Sequence, residues 1–334
     1  MATLSFSRFG WLARLTSAVA LSAGLASAPS AAAEWPTEKP ITLVLGFSAG
    51  SGLDLIARAI HQPLMDALGQ TVVIDYRAGA GGNLASSHVA RSEPDGYTLL
   101  LGTAATHGIN PAIYKNLSFD IEKDFTPIAP LVDVSNVLSI NPKAIDVDTL
   151  EEFIAEVKAN PGKYNFASTG VGTGTHLAFA EFNARAGLDM VHVPYKGGAE
   201  AVQAVLRGDA CCYFGQVQSV LGQYQAGSLR LLAVSTAKRV EAVKDIPTIA
   251  ESGLPGFDSY IWFGLFGPKG MDPELVEKIN AAATKAVQDP EVVKNLNSRG
   301  NAPHVATTAE FRQLVLDNRD KWAEVVKEAG VEPQ

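Results

Sequence analysis

The chain has little with which to cross-link itself or hold a metal. Cysteine occurs only as the adjacent pair Cys211 and Cys212. A disulfide framework needs separated pairs, so none is expected. A bridge between neighbours would close a strained ring, and the simpler reading is two small residues on a buried strand. Two thiols without a histidine pair at ligand spacing do not form a zinc site. Positive charge is also short: 27 Lys and Arg stand against 35 Asp and Glu, a net charge of −8. With no basic cluster, nucleic acid and anionic membrane surfaces are poor partners. Long apolar runs are confined to the N-terminus. There LTSAVALSAGLASA follows Arg8 and Arg14 and precedes Ala31-Ala32-Ala33. The run is too short to span a bilayer comfortably and reads as a signal peptide over residues 1–33, leaving a mature chain from about Glu34. An exported, periplasmic protein without membrane insertion is expected.

What remains is enough for a sizeable core: 334 residues, 47% of them hydrophobic, and two domains are expected. Ile41-Thr42-Leu43-Val44-Leu45 reads as a buried strand. It breaks into Gly46-Phe47-Ser48-Ala49-Gly50-Ser51, and a helix starts near Gly52 or Leu53. Strands over 71–76 and 97–101 follow, each ending in a polar loop, with a helix over 84–92 between them. Alternation of strand and helix predicts a parallel α/β sheet with ligands outside the carboxyl ends of its strands. Residues 125–140 read as an extended crossing into a second domain, where the pattern repeats. Helices are expected over 150–159, 176–186 and 199–207, with strands over 164–167, 191–193, 210–214 and 229–234. Residues 259–266 cross back, and helices over 272–288, 290–298 and 308–329 end the chain. The predicted lobes are 34–135 with 265–334, and 136–264.

Two motif matches lead nowhere. Gly46-Phe47-Ser48-Ala49-Gly50 fits G-x-S-x-G, but no earlier strand supplies an oxyanion loop and no histidine is marked as base, so a secreted hydrolase using Ser48 is set aside. Gly170-Val171-Gly172-Thr173-Gly174 lacks the third glycine of a dinucleotide turn. No cofactor or metal is expected. The informative pattern is the set of loops combining Gly with Ser, Thr or Asn, each between a strand and a helix. Backbone N–H groups at helix starts, with nearby hydroxyls, can solvate a carboxylate without arginine. His107 and His176 are candidate donors to a ligand oxygen. Asp54 is placed to fix its loop, and Phe47 to wall the pocket. Arg77 and Lys196 read as solvated or structural.

Over residues 35–332 the chain resembles the solute-binding proteins of tripartite tricarboxylate transporters, the Bug or TctC-like family. The resemblance lies in Trp35-Pro36, Pro40-Ile41, the loop at 47–58, Arg77-Ala78-Gly79-Ala80-Gly81-Gly82, Pro94-Asp95-Gly96-Tyr97, Asp124-Phe125-Thr126-Pro127, the loop at 168–176, His192-Val193-Pro194-Tyr195-Lys196-Gly197, Ile246-Pro247-Thr248 and Trp262-Phe263-Gly264. It implies an α/β, two-lobed periplasmic binding protein of type II, with two parallel-core sheets joined by two crossing strands. It implies a non-catalytic monomer that captures a small organic carboxylate and passes it to membrane transporter subunits; a sensor partner is the alternative. One end of the ligand would meet Phe47, Ala49, Gly50, Ser51, Gly52, Leu53, Asp54, Gly81, Asn83, Thr103, Thr106 and His107. The other would meet Ser168, Thr169, Gly170, Thr173, His176, Tyr195 and Gln216. The chain departs from the family pattern at Gly46 and Ser48, where proline is usual, at Ser51, where glycine is usual, and at Tyr76, where asparagine is common.

Overall fold

The computed structural model describes residues 35–333; the signal-peptide expectation lies outside them. The elements run β1 (Ile41–Leu45), α1 (Gly52–Leu68), β2 (Val72–Tyr76), α2 (Asn83–Ala90), β3 (Thr98–Thr103), α3 (Asn110–Ile113), β4 (Phe125–Ile140), α4 (Leu150–Ala159), β5 (Asn165–Ser168) and α5 (Gly174–Ala186). Then come β6 (Val191–Pro194), α6 (Gly198–Arg207), β7 (Cys212–Gln216), α7 (Val217–Gln225), β8 (Arg230–Val234), β9 (Tyr260–Pro268), α8 (Pro273–Val287), α9 (Pro290–Ser298), β10 (Asn301–Pro303) and α10 (Thr308–Glu328). The helix starts follow their local chemistry. Thr149 and Thr307 form capping boxes with Glu152 and Glu310, each satisfying orphan N–H groups of the first turn. Asp272 and Asp289 cap helices that open on proline, whose missing N–H costs nothing there.

The sheet order is β2-β1-β3-β9-β4-β7-β5-β6, with β8 and β10 also paired to β4. β1 lies between β2 and β3, all parallel, Leu43 facing Ile74 and Leu99. β5, β6 and β7 are likewise parallel. Between these trios run the antiparallel β4 and β9, paired from Phe125–Pro268 to Ser135–Tyr260. One residue further, β4 changes partners: Asn136 pairs with Gln216 of β7, and Val137 with Val234 of β8. The mixed α/β architecture with crossing strands is therefore the one the sequence predicts.

Apolar side chains collect in four clusters. Leu43, Ile56, Val132 and Ile279 lie in one, packed between β1, α1 and α8, while Val44, Leu100, Phe266 and Phe311 fill the opposite face of β1 and β3. Phe166, Phe179, Phe182 and Trp322 fill a third, and Val205, Tyr213 and Val240 a fourth. α10 contributes Phe311 and Val315 to one cluster and Trp322, Val325 and Val326 to another, so one helix ties the β1–β3 region to the β5–β7 region. Cys211 and Cys212 are buried free thiols, and the Cys211 thiol donates to the Asn165 carbonyl. Burial, then Cys211, pushes the Cys212 thiol well up.

Two helical segments longer than a single 3-10 turn were not anticipated. Residues 105–113 form a π-turn running into α3, where Gly108 and Pro111 suggested a loop; Pro111 sits in the first turn of α3, where proline is tolerated. α7 was missed because VQSVLGQYQ has too few apolar positions to show a period.

Candidate functional site

Three loops leave the carboxyl ends of β1, β2 and β3 and meet over Gly82. A Cβ on Gly46 would lie 2.8 Å from the Gly82 Cα, and one on Gly82 would meet Thr106 Cγ2 at 2.6 Å and Phe47 Cε2 at 3.3 Å. Glycine is needed at both places because backbone passes against backbone and side chain. Gly79, Ala80, Gly81 and Gly82 all have positive φ, a run that folds the β2 loop back over its neighbours.

Asp54 organises the β1 loop. It is buried, and its Oδ2 accepts the Gly50 N–H at 2.7 Å. Its Oδ1 accepts from the Tyr76 hydroxyl at 2.6 Å and from Arg58 Nε at 3.0 Å, while Ser51 Oγ accepts the Asp54 N–H. Burial alone would raise this carboxyl; the Gly50 N–H, Tyr76 and Arg58 outweigh it and hold the group below the usual carboxylate range. Two departures from the family pattern, Ser51 and Tyr76, therefore converge on one residue. Asp54 shapes the loop and has no lone pair turned to a ligand. The N–H of Gly50 is likewise engaged, whereas those of Ala49, Gly52 and Leu53 have no protein acceptor among the described residues.

The loop after β5 is knotted by hydroxyls. Ser168 Oγ accepts the Gly170 N–H at 3.1 Å, Thr175 Oγ1 accepts the Thr169 N–H at 3.0 Å, and Thr173 caps α5 while donating to the Gly170 carbonyl at 2.7 Å. Thr169, Gly170 and Thr173 remain half-buried at its surface. His176 is buried beneath the loop, where its Nδ1 accepts the Gly172 N–H at 3.1 Å and its ring stacks on His192 at 3.8 Å. Burial, then His192, lowers His176 to about 4, and burial lowers His192 to about 4. Both rings are neutral at pH 7. His192 in turn bonds Ser168 Oγ at 2.6 Å. Tyr195 enters through its main chain, donating its N–H to the Ser168 carbonyl.

The two sets of loops face each other. A Cβ on Gly52 would lie 3.8 Å from Gln216 Oε1 and 3.7 Å from Gln218 Nε2. One on Gly174 would lie 3.0 Å from Ile261 Cδ1 on β9, and one on Gly172 would lie 3.1 Å from Ile113 Cδ1. The starts of α1, α5 and α7 are thus gathered along the crossing strands, and helix starts attract anions. Among the described residues no basic side chain is seen to be held there: Arg58 is spent on Asp54, Arg77 on Asp75, and Lys196 is exposed.

Several expectations change. His107 lies in the aromatic core, completely buried, stacked on Phe266 at 4.0 Å and edge-on to Phe125. Burial lowers it to about 3, and its Nδ1 bonds Thr106 Oγ1; it holds the β3 loop from beneath and does not reach a ligand. Thr103 and Thr106 are buried and satisfy each other, so they too support rather than line. Asn83 is buried, its Oδ1 accepting from Asn110 Nδ2, which also reaches the Gly81 carbonyl. Asn110, Tyr76, His192 and Gln218 join these loops without having been named as candidate contacts; Tyr76, as a departure from a pattern, and His192, as the start of a matching stretch, carried a signal. Ser48 is exposed, its carbonyl accepting the Ser51 N–H.

Known proteins match this chain along nearly their whole length. Protein BugT of Bordetella pertussis is 35% identical over 309 residues, covering 92% of this chain and 94% of BugT. A solved R. palustris protein with adipate is 32% identical with a TM-score of 0.77, over 90% of this chain and 100% of that one. MatC from Rhodopseudomonas palustris with bound malate is 31% identical with a TM-score of 0.71, over 86% and 98%. The TctC model, described as the tripartite tricarboxylate transporter family receptor, matches residues 56–331. The chain therefore belongs to the TctC, or Bug, family of periplasmic solute-binding proteins.

Proposed function

We propose that the protein captures a small organic carboxylate in the cleft between the β1–β3 loops and the β5–β7 loops, in the periplasm, for delivery to a tripartite tricarboxylate-type transporter, without chemical change to the ligand. The observation that carries this reading is the set of unengaged N–H groups at Ala49, Gly52 and Leu53, at the start of α1, facing Gln216 and the hydroxyl-rich loop after β5, with Arg58 and Arg77 already paired to Asp54 and Asp75. Such groups suit carboxylate oxygens, and two relatives hold adipate and malate. Ala49, Gly52, Leu53, Thr169, Gly170, Thr173 and Gln216 are the proposed contacts. Gly50, Ser51, Asp54, Gly81, Asn83, Thr103, Thr106, His107, Ser168, His176 and Tyr195 shape the loops that present them, and Phe47 closes the apolar side.

The proposed lobes are 34–135 with 265–334, and 136–264, hinged where β4 exchanges β9 for β7 and β8. A ligand touching both lobes favours the closed state by its differential affinity. The test is a thermal-shift and calorimetric panel of aliphatic and aromatic mono- and dicarboxylates. A true ligand at a hundredfold its Kd stabilises the fold by about 2.7 kcal/mol, a shift of several degrees. If no carboxylate stabilises the protein while nucleotides or esters do, the reading fails.

A further inference from the structure

A cavity of about 420 Å³ lies on the crossing strands, lined by Asp133, Ser135, Asp258, Tyr260, Glu241 and Asn301 among others. Its volume is in the range of small-ligand pockets, roughly 300–1,000 Å³. It is distinct from the cleft. Side chains alternate across a strand, and Ser135 and Tyr260 are partners on β4 and β9, so they share one face. Ile261, the next residue, turns to the other face, where it meets Gly174 at the start of α5.

The lining has a definite chemistry. Asp133, Asp258 and Glu241 supply three carboxylates. Of the two basic residues at the wall, Arg239 is held by Glu251 at 3.0 Å and by the Lys244 carbonyl, leaving Lys238, which is exposed. His304 backs Asp133 at 2.8 Å, and Lys321 reaches the Asp258 carbonyl and Glu181 from outside. Asn301 is only 3% exposed, yet neither its Nδ2 nor its Oδ1 has a partner. A buried amide with both ends unsatisfied is costly in a protein interior, and here it stands at a cavity wall. Burial, with Asp133 and Asp258, keeps the Tyr260 phenol protonated.

We propose that this cavity is a second ligand site, for a small organic cation carrying a primary amine, behind the crossing strands. An ammonium has three donors and no acceptor, which suits Asp133, Asp258 and the Asn301 carbonyl oxygen together. Because the cavity is walled by β4, β9 and the segment leaving β8, an occupant would brace the strands that the proposed closure must bend.

Calorimetry with 1,4-diaminobutane tests the site on the full mature chain, with 1,4-butanediol and succinate as neutral and anionic counterparts. One diamine should bind per chain, the diol should not, and affinity should fall about tenfold or more, or about 1.4 kcal/mol, in Asp258→Asn, with a further loss when Glu241→Gln is added. Both residues are exposed, so the folded state is kept and verified by its melting curve; Asn301→Leu gives an independent loss. Diamine binding that is absent at millimolar concentration, matched by the diol, or indifferent to Asp258→Asn overturns the site. Thr173→Val, aimed at the carboxylate cleft, should leave diamine binding intact, so the two readings fail separately.

Discussion

At the scale of single residues, the site is built by support rather than by contact. Asp54 shows this most directly. Tyr76→Phe removes one hydrogen bond to its carboxylate and should cost about 1.5–3 kcal/mol, read as a lower urea midpoint at unchanged slope. The same change should weaken carboxylate binding, because Asp54, which anchors the Gly50 turn through its other oxygen, loses one of the partners that fix it. Gly82→Ala would force a side chain into the left-handed region and against Thr106, costing about 2–3 kcal/mol by the same measurement. Acid exposes another supporting set. His107, His176 and His192 are held neutral, at about 3, 4 and 4, below the unfolded value of about 6.5. The unfolded chain therefore takes up protons first as pH falls, and their contribution, present above about pH 6.5, is lost on going down towards pH 3–4. Urea titrations at stepped pH should show this decline, and it should be shallower in His107→Phe. Of these residues only His107 and His176 stood out in the sequence. They stood out as donors, because a histidine beside a glycine-rich loop looks the same from sequence whether its ring points to the ligand or to the core.

At the scale of elements, strand–loop–helix units were legible because each carries its own punctuation. Ser51 and Thr173 cap their helices, and Gly69 and Gly187 end them with left-handed backbone. β4 was legible as a crossing because the extended run carries Pro127 and Pro130 and ends at the Asn141-Pro142 break. Its change of partners at Asn136 was not, since pairing over long separations leaves no local mark. α10 was placed correctly by its capping box, but its service to two clusters was hidden for the same reason. Trp322 is 1% exposed, donates to Asn318 Oδ1 at 2.9 Å and anchors the far end of this helix. Trp322→Ala should cost about 3–5 kcal/mol. It should also raise amide exchange along the C-terminal half of α10 before that of β1, a difference that hydrogen exchange resolves.

At the scale of the whole molecule, two trios of parallel strands flank the crossing β4 and β9, and the chain departs from the family pattern where the β1 loop meets β2. Gly46, Ser51 and Tyr76 either permit the loops to touch or fasten Asp54. The departures thus alter how the loop is braced, while leaving the Ala49, Gly52 and Leu53 amides without a protein acceptor among the described residues. Small-angle scattering should report a smaller radius of gyration with a bound carboxylate, and no change with it in a variant that cannot bind. The unengaged amides have a genetic consequence. A main-chain N–H is specified by no codon in particular, and almost any substitution retains it. A receptor that grips through such groups can exchange the side chains around them, and so drift from one acid to another, without first losing its hold on acids as a class.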